Sequence, residues 1–123
     1  MSTVAIADWS TGEPGIAYQL CESCRHTWYF ERSFCPNCGD KRPSRLQASG
    51  HARVYAATTV TRAPSPELAE LGPYAIMLLD AEEGFRMMAH GDSSLQVGDM
   101  ARVTFRQFGG RLTPYFIAPN ARD

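Results

Sequence analysis

No stretch of this chain approaches the roughly 20 consecutive apolar residues that a membrane-spanning helix needs. Met1 to Ser10 carries Asp8 and Trp9, with no basic start and no apolar run, so no signal peptide is visible and a cytoplasmic protein is expected. Charge of one sign is also missing. A formal net charge of −1 argues against the basic excess usual in nucleic-acid binders, although a local patch stays open. There is no G-x-G-x-x-G or Walker loop to cradle a phosphate. No nucleophile, base and acid stand together in local sequence. His51 and His90 fall on expected strands, Ser93-Ser94 in a turn, and the paired acids Glu82 and Glu83 in a hairpin turn where solvation explains them. These absences point to a binding module that is not catalytic by itself. No cysteine lies outside Cys21–Cys38.

That stretch holds all four cysteines as two C-x2-C pairs, Cys21/Cys24 and Cys35/Cys38, ten residues apart. Each short gap brings two sulfurs to one side of a tight turn, so the pairs can close a tetrahedron around one ion. Zinc suits four thiolates; iron in an all-sulfur site remains an alternative. Two disulfides would require an oxidising compartment that nothing here indicates. Four thiolates fill the coordination shell of zinc and leave no position for substrate, which makes the expected role structural. His26 is read as a solvent-facing knuckle residue, and Trp28 and Phe30 as lids over the small core of the metal module.

Eight prolines and ten glycines indicate many turns and short elements. Residues 1–17 read as an extended or poorly ordered lead-in, 18–45 as a zinc ribbon, 46–119 as a barrel domain and 120–123 as a tail. Tyr18 and Leu20 begin the first ribbon strand, and Thr27 to Phe30 suit a second. Lys41 to Ser49, with Lys41, Arg42 and Arg45, reads as a solvated connector. Beyond Gly50 the pattern predicts five strands: Ala52 to Val60, Tyr74 to Asp80, Phe85 to His90, Met100 to Gln107 and Leu112 to Ala118. Tyr74 to Asp80 is nearly all apolar, as expected of a strand buried on both faces. Thr61 to Pro73 is the long loop, with one short helical turn at Glu67 to Leu71. The sum is a mainly β chain, a four-cysteine zinc ribbon followed by a five-stranded barrel of the OB type, with a flat meander on a partner as the alternative.

OB barrels bind ligands on strands two and three and on the loops flanking them. Here that face offers Met, Leu and Ala, with Arg86 alone among the charges of its strands, where a single-strand binder would interleave aromatics with Lys and Arg. An apolar ligand or a protein surface fits it better. The candidate substrate or partner residues are Arg62, Pro64, Pro73, Tyr74, Met77, Arg86 and Met88, and the candidate metal ligands are Cys21, Cys24, Cys35 and Cys38. A nucleic-acid-binding zinc-ribbon/OB module is the alternative function.

The ordered pieces also carry a resemblance. After the cysteine ribbon come Ser49-Gly50, Val54-Tyr55 with a Thr-rich strand to Thr61, Pro73-Tyr74, Glu83-Gly84, Val97-Gly98-Asp99-Met100 and Pro114-Tyr115-Phe116. Residues 18 to 118 resemble the rubredoxin-like zinc-ribbon/OB-fold proteins, long catalogued as a domain of unknown function and associated with acyl-CoA metabolism. The resemblance implies a small non-catalytic subunit of a thiolase, a thiolase-like aldolase or a related acyltransferase. It implies a hetero-oligomer, expected as α2β2, in which the barrel helps shape a pocket or channel for the CoA thioester. Arg25 stands where the first knuckle of that family usually has Gly, the Pro-Pro pair common before the third cysteine is missing, and the helical N-terminal arm is replaced by a short Gly/Pro-containing lead-in.

Overall fold

The computed structural model describes residues 6–60, 74–108 and 110–121. The expected loop Thr61 to Pro73 with its helical turn, and with it Arg62, Pro64 and Pro73, lies outside the described residues. So does the side chain of Tyr74.

The ribbon is a three-stranded antiparallel sheet in the order β2-β1-β3, with β1 at Ala17–Leu20, β2 at Thr27–Trp28 and β3 at Ser44–Gln47. β1 pairs with β2 through Gln19 and Trp28, and with β3 from Ala17↔Gln47 to Leu20↔Ser44. The polar stretch read as a connector therefore supplies the third strand. Its side chains alternate half-buried and exposed, an edge-strand pattern too polar to stand out as a strand by composition. β2 stops at two residues, since the chain turns away at Tyr29 and leaves Phe30 75% exposed, so Phe30 is no lid.

The barrel strands are β4 (His51–Val60), β5 (Tyr74–Ala81), β6 (Arg86–Gly91), β7 (Met100–Phe108) and β8 (Arg111–Ile117). They close in the order β4-β5-β6-β8-β7, all pairs antiparallel except β6 with β8. This is the OB arrangement expected from five strands with a long first connection. Alternation puts Ala52, Val54, Met77, Leu79, Met87, Ala89, Ala101 and Phe116 inside. β5 is not buried on both faces: Ala75, Met77 and Leu79 are buried, whereas Ile76 and Leu78 are only half-buried on the outside. In β4 the register against β5 shifts between Val54 and Ala56, a bulge that leaves Tyr55 unpaired on that side and 51% exposed.

Ribbon and barrel share one core. Ile16 and Tyr18 belong to the barrel's cluster, with Leu46 and Tyr29 packed against it. Phe85 lies between two ribbon rings, 4.9 Å from Tyr18 and 5.9 Å from Tyr29, with both planes nearly parallel to its own. Glu82 and Glu83 do more than face solvent, because they accept bonds from the Ser49 hydroxyl (2.9 Å) and backbone N–H (2.7 Å), tying the end of the ribbon to the β5–β6 turn. The described part of the lead-in, residues 6–16, is structured. It forms a 3-10 turn at Trp9–Thr11 capped by Asp8, and Trp9 packs on the core.

Gly50, where the chain enters the barrel, has φ +90°, and a Cβ there would lie 2.6 Å from Val103 Cγ1. Gly98 shares the positive φ but has open space around it. Urea unfolding is expected to show Gly50→Ala losing about 2–4 kcal/mol, from backbone strain plus a clash in a packed core, against about 1 kcal/mol for Gly98→Ala. Equal losses at the two sites would refute the packing role of Gly50.

Candidate metal centre and barrel face

The two knuckles are built alike. In the first, the Arg25 N–H bonds the Cys21 carbonyl (2.7 Å) and the Cys21 N–H bonds the His26 carbonyl (2.9 Å). In the second, Gly39 bonds Cys35 (2.9 Å) and Cys35 bonds Asp40 (2.7 Å) in the same way. Each turn closes through a residue at positive φ, Gly39 at +85° and Arg25 at +67°. Gly39 adopts that conformation freely; Arg25 holds it against the contact between its Cβ and its own carbonyl. The hydroxyl of Ser23 in the first knuckle donates to the Asp40 carboxylate beyond the second.

The four Sγ atoms lie within 4.8 Å of one another. Across the knuckles, Cys21 and Cys38 are 3.5 Å apart and Cys24 and Cys35 3.6 Å. A tetrahedral zinc with Zn–S near 2.3 Å sets its sulfurs about 3.8 Å apart, so the cage fits such an ion, and these contacts are far longer than the roughly 2.05 Å of a disulfide. Cys21 and Cys35 are buried against Trp28, with Cys24 half-buried and Cys38 exposed. The N–H groups of Asn37 and Cys38 donate to Cys35 Sγ at 3.3 and 3.4 Å, as donors do around metal thiolates. The thiols differ in acidity. The Asn37 side-chain amide, with the bond from the His26 backbone, lowers Cys24 to about 6. At Cys38 the Asp40 backbone bond pulls down, but the neighbouring sulfurs, Cys21 first, prevail and push it up to about 12. His26 is exposed, stacks on Trp28 at 5.7 Å, and lies outside the sulfur cluster.

On the barrel, the outer face of β4, β5 and β6 carries Tyr55, Ile76, Leu78, Arg86 and Met88. Met88 is 66% exposed. Arg86 bonds Asp80 through Nε (2.6 Å) and an NH2 group (3.3 Å), with its guanidinium carbon 3.6 Å over the Tyr55 ring. The guanidinium is thus engaged within the face. Met77 does not join this surface; as an inward residue of β5 it is 1% exposed and fills the core.

Beside this face the parallel pairing of β6 and β8 covers only His90↔Tyr115 and Gly91↔Phe116. Where the strands part, a slot of about 200 Å3 is lined by Trp9, Ile76, Met88, Ala89, His90, Thr113 and Pro114. Burial lowers the pKa of His90 in spite of a bond with the Ala75 backbone. Of these residues, sequence reasoning singled out Met88 alone as a binding candidate. Trp9, a lone large aromatic in a Gly/Pro-rich lead-in, was the signal available for the rest.

The barrel segment, residues 46–106, matches the model of the ChsH2 C-terminal OB-fold domain family. Over that segment the chain is similar to the family. The chain is 27% identical over 92 residues to a DUF35 domain-containing scaffold protein of Methanothermobacter thermautotrophicus, covering 71% of this chain and 68% of that one. Among solved structures it is similar to a chain of the Ltp2-ChsH2(DUF35) aldolase, with TM-score 0.72, 20% identity, and coverage of 85% and 84% of the two chains. It is also similar to a DUF35-family protein of unknown function from Sulfolobus solfataricus, with TM-score 0.59, 18% identity, and coverage of 85% and 75%. At these identities the two structures show the shared fold. No helix among the described residues is long and apolar enough to cross a membrane.

Two outcomes are expected. Arg25→Gly removes a left-handed side chain from the first knuckle and should stabilise the metal-loaded protein by about 1 kcal/mol in thermal or chelator-competition assays; a loss would show that the Arg25 side chain has a role of its own. His90 binds its proton less readily folded than unfolded, so stability should fall as pH drops below about 6.5, the ordinary histidine value. A His90→Gln protein whose urea midpoint keeps the same slope in that window would refute this assignment.

Proposed function

We propose that this chain is a non-catalytic accessory subunit of a thiolase-type acyl-CoA enzyme, a thiolase, thiolase-like aldolase or acyltransferase, with Cys21, Cys24, Cys35 and Cys38 holding a structural zinc ion. The chain stabilises its catalytic partner in a hetero-oligomer, and its barrel helps form the acyl-CoA pocket or channel. The observation that carries this reading is the contrast between the two candidate sites. The sulfur cage has all its coordination filled by protein and offers no place for substrate. The outer face of β4, β5 and β6 presents Tyr55, Arg86 and Met88, residue types enriched at protein interfaces. The likeness to a chain of the Ltp2-ChsH2(DUF35) aldolase supports the kind of partner. Arg86 and Met88 are the two candidate residues on the described part of that face.

Held by Cys21, Cys24, Cys35 and Cys38, zinc would neutralise the charge of four thiolates and crosslink the two knuckles; Tyr18, Tyr29 and Phe85 hold the ribbon against the barrel. Co-expression with the thiolase-like protein encoded nearest to it tests the assignment. A stable complex with activity that neither protein has alone is expected, and Met88→Asp should weaken that complex at least tenfold while leaving the thermal midpoint of the free chain unchanged. A chain that elutes alone and adds no activity to its neighbour would sink the proposal. Retardation of single-stranded nucleic acid at low salt would favour the nucleic-acid reading instead.

A further inference from the structure

The segment before β1 is a strap whose polar anchors all sit on the ribbon. The Ala7 N–H donates to Gln47 Oε1 at 2.6 Å, and Gln47 Nε2 donates to the carbonyls of Ala7 (3.1 Å) and Ile16 (3.0 Å). Asp8 pairs with Arg45 of β3. The Trp9 indole N–H donates to the Tyr29 hydroxyl at 2.6 Å. The other end of the same indole touches the barrel, as a wall of the slot between β6 and β8. Trp9 is the residue through which the ribbon meets that slot.

Tyr29 stacks on Phe85 on one side and is tied through its chain neighbour to the sulfur cage on the other. It follows Trp28, which is buried against Cys21 and Cys35. The Gln19 carboxamide oxygen accepts from Trp28 Nε1 and from the Arg32 N–H, both at 2.6 Å, and its NH2 donates to the Arg32 carbonyl at 3.0 Å. The turn carrying Tyr29 is thus clamped between Gln19 and the cage, on a strand of only two residues. Without a cation no bond joins the two knuckles through their sulfurs, and the cluster of Cys21, Cys35 and Trp28 loses the crosslink that metal binding contributes to folding.

We infer that the metal state of the ribbon sets the shape of the barrel slot through Trp28, Tyr29 and Trp9. With the metal in place, Tyr29 holds the indole against Ile76, Met88 and Pro114, and the slot has its fourth wall. Without it, Trp9 leaves the slot while the barrel strands stay closed. By linkage, any occupant that packs on Trp9 tightens metal binding. Tyr29 and Trp9 are positioning residues here. The inference rests on the cage being a metal site and not on the identity of the partner.

The test uses the full chain labelled with 5-fluorotryptophan, which has two fluorine reporters, at Trp9 and Trp28. The resonance missing in Trp9→Phe identifies position 9. Removing the metal with a chelator under reducing conditions is expected to move the Trp9 resonance to the position and solvent isotope shift of free 5-fluorotryptophan. Tyr29→Phe, with one equivalent of metal confirmed by elemental analysis, should move the Trp9 resonance in the same direction and leave that of Trp28 in place. If metal removal unfolds the whole chain, the Tyr29→Phe protein decides alone. A metal-loaded Tyr29→Phe protein with an unshifted Trp9 overturns the coupling. A chain that purifies with no metal overturns the metal reading and the coupling with it.

Discussion

Phe85 sits between Tyr18 and Tyr29, and the rest of the molecule depends on that stack. It joins a small ribbon to a barrel. Parallel rings at these separations add about 0.5–1.5 kcal/mol beyond the area they bury. Their larger effect is geometric. Tyr18 brings β1 and Ile16 into the barrel's core, and Tyr29 brings the turn after β2. A ribbon with only Cys21, Cys35 and Trp28 inside has too little apolar material to stand alone, so it draws stability from sulfur chemistry on one side and from Phe85 on the other.

Much of this was legible in residue order. The period-two alternation of β4 and β7, the Glu83-Gly84 hairpin and the turn at Gly98 mark the barrel strands, because a half-buried strand must alternate. The C-x2-C pairs mark the cage for an equally local reason: two-residue spacing fixes which way neighbouring sulfurs face. β3 was hidden. Ser44-Arg45-Leu46-Gln47 reads as solvent-loving chain, and its place in the sheet comes from β1, whose paired residues lie 24 to 30 positions earlier, offering a free edge. The Glu82 and Glu83 contacts with Ser49 were hidden in the same way, since a solvated turn and a structural tie have the same sequence.

The candidate binding face was legible in outline and not in detail. Alternation along β5 and β6 separates Met88 from Met77, yet a run as apolar as Ala75 to Leu79 gives no sign of which side is covered. Tyr55 faces outward by plain alternation with Val54, but the shift in pairing that follows it, which leaves Tyr55 without a partner on β5, leaves no mark in composition. The slot needs Trp9, Met88 and Pro114 together, three positions far apart in sequence that only the closed barrel makes neighbours.

The strap has a consequence for the order in which the protein is made. Trp9 belongs to the earliest described element to leave the ribosome, and its contacts at Thr113 and Pro114 belong to the last strand. Domains emerge from the N-terminus onward. The sulfur cage can therefore assemble while the barrel is still being synthesised, but the indole has nowhere to settle until β8 arrives. The strap is made before the barrel and completes its slot only after β8 has joined, so its docking follows closure of the described strands.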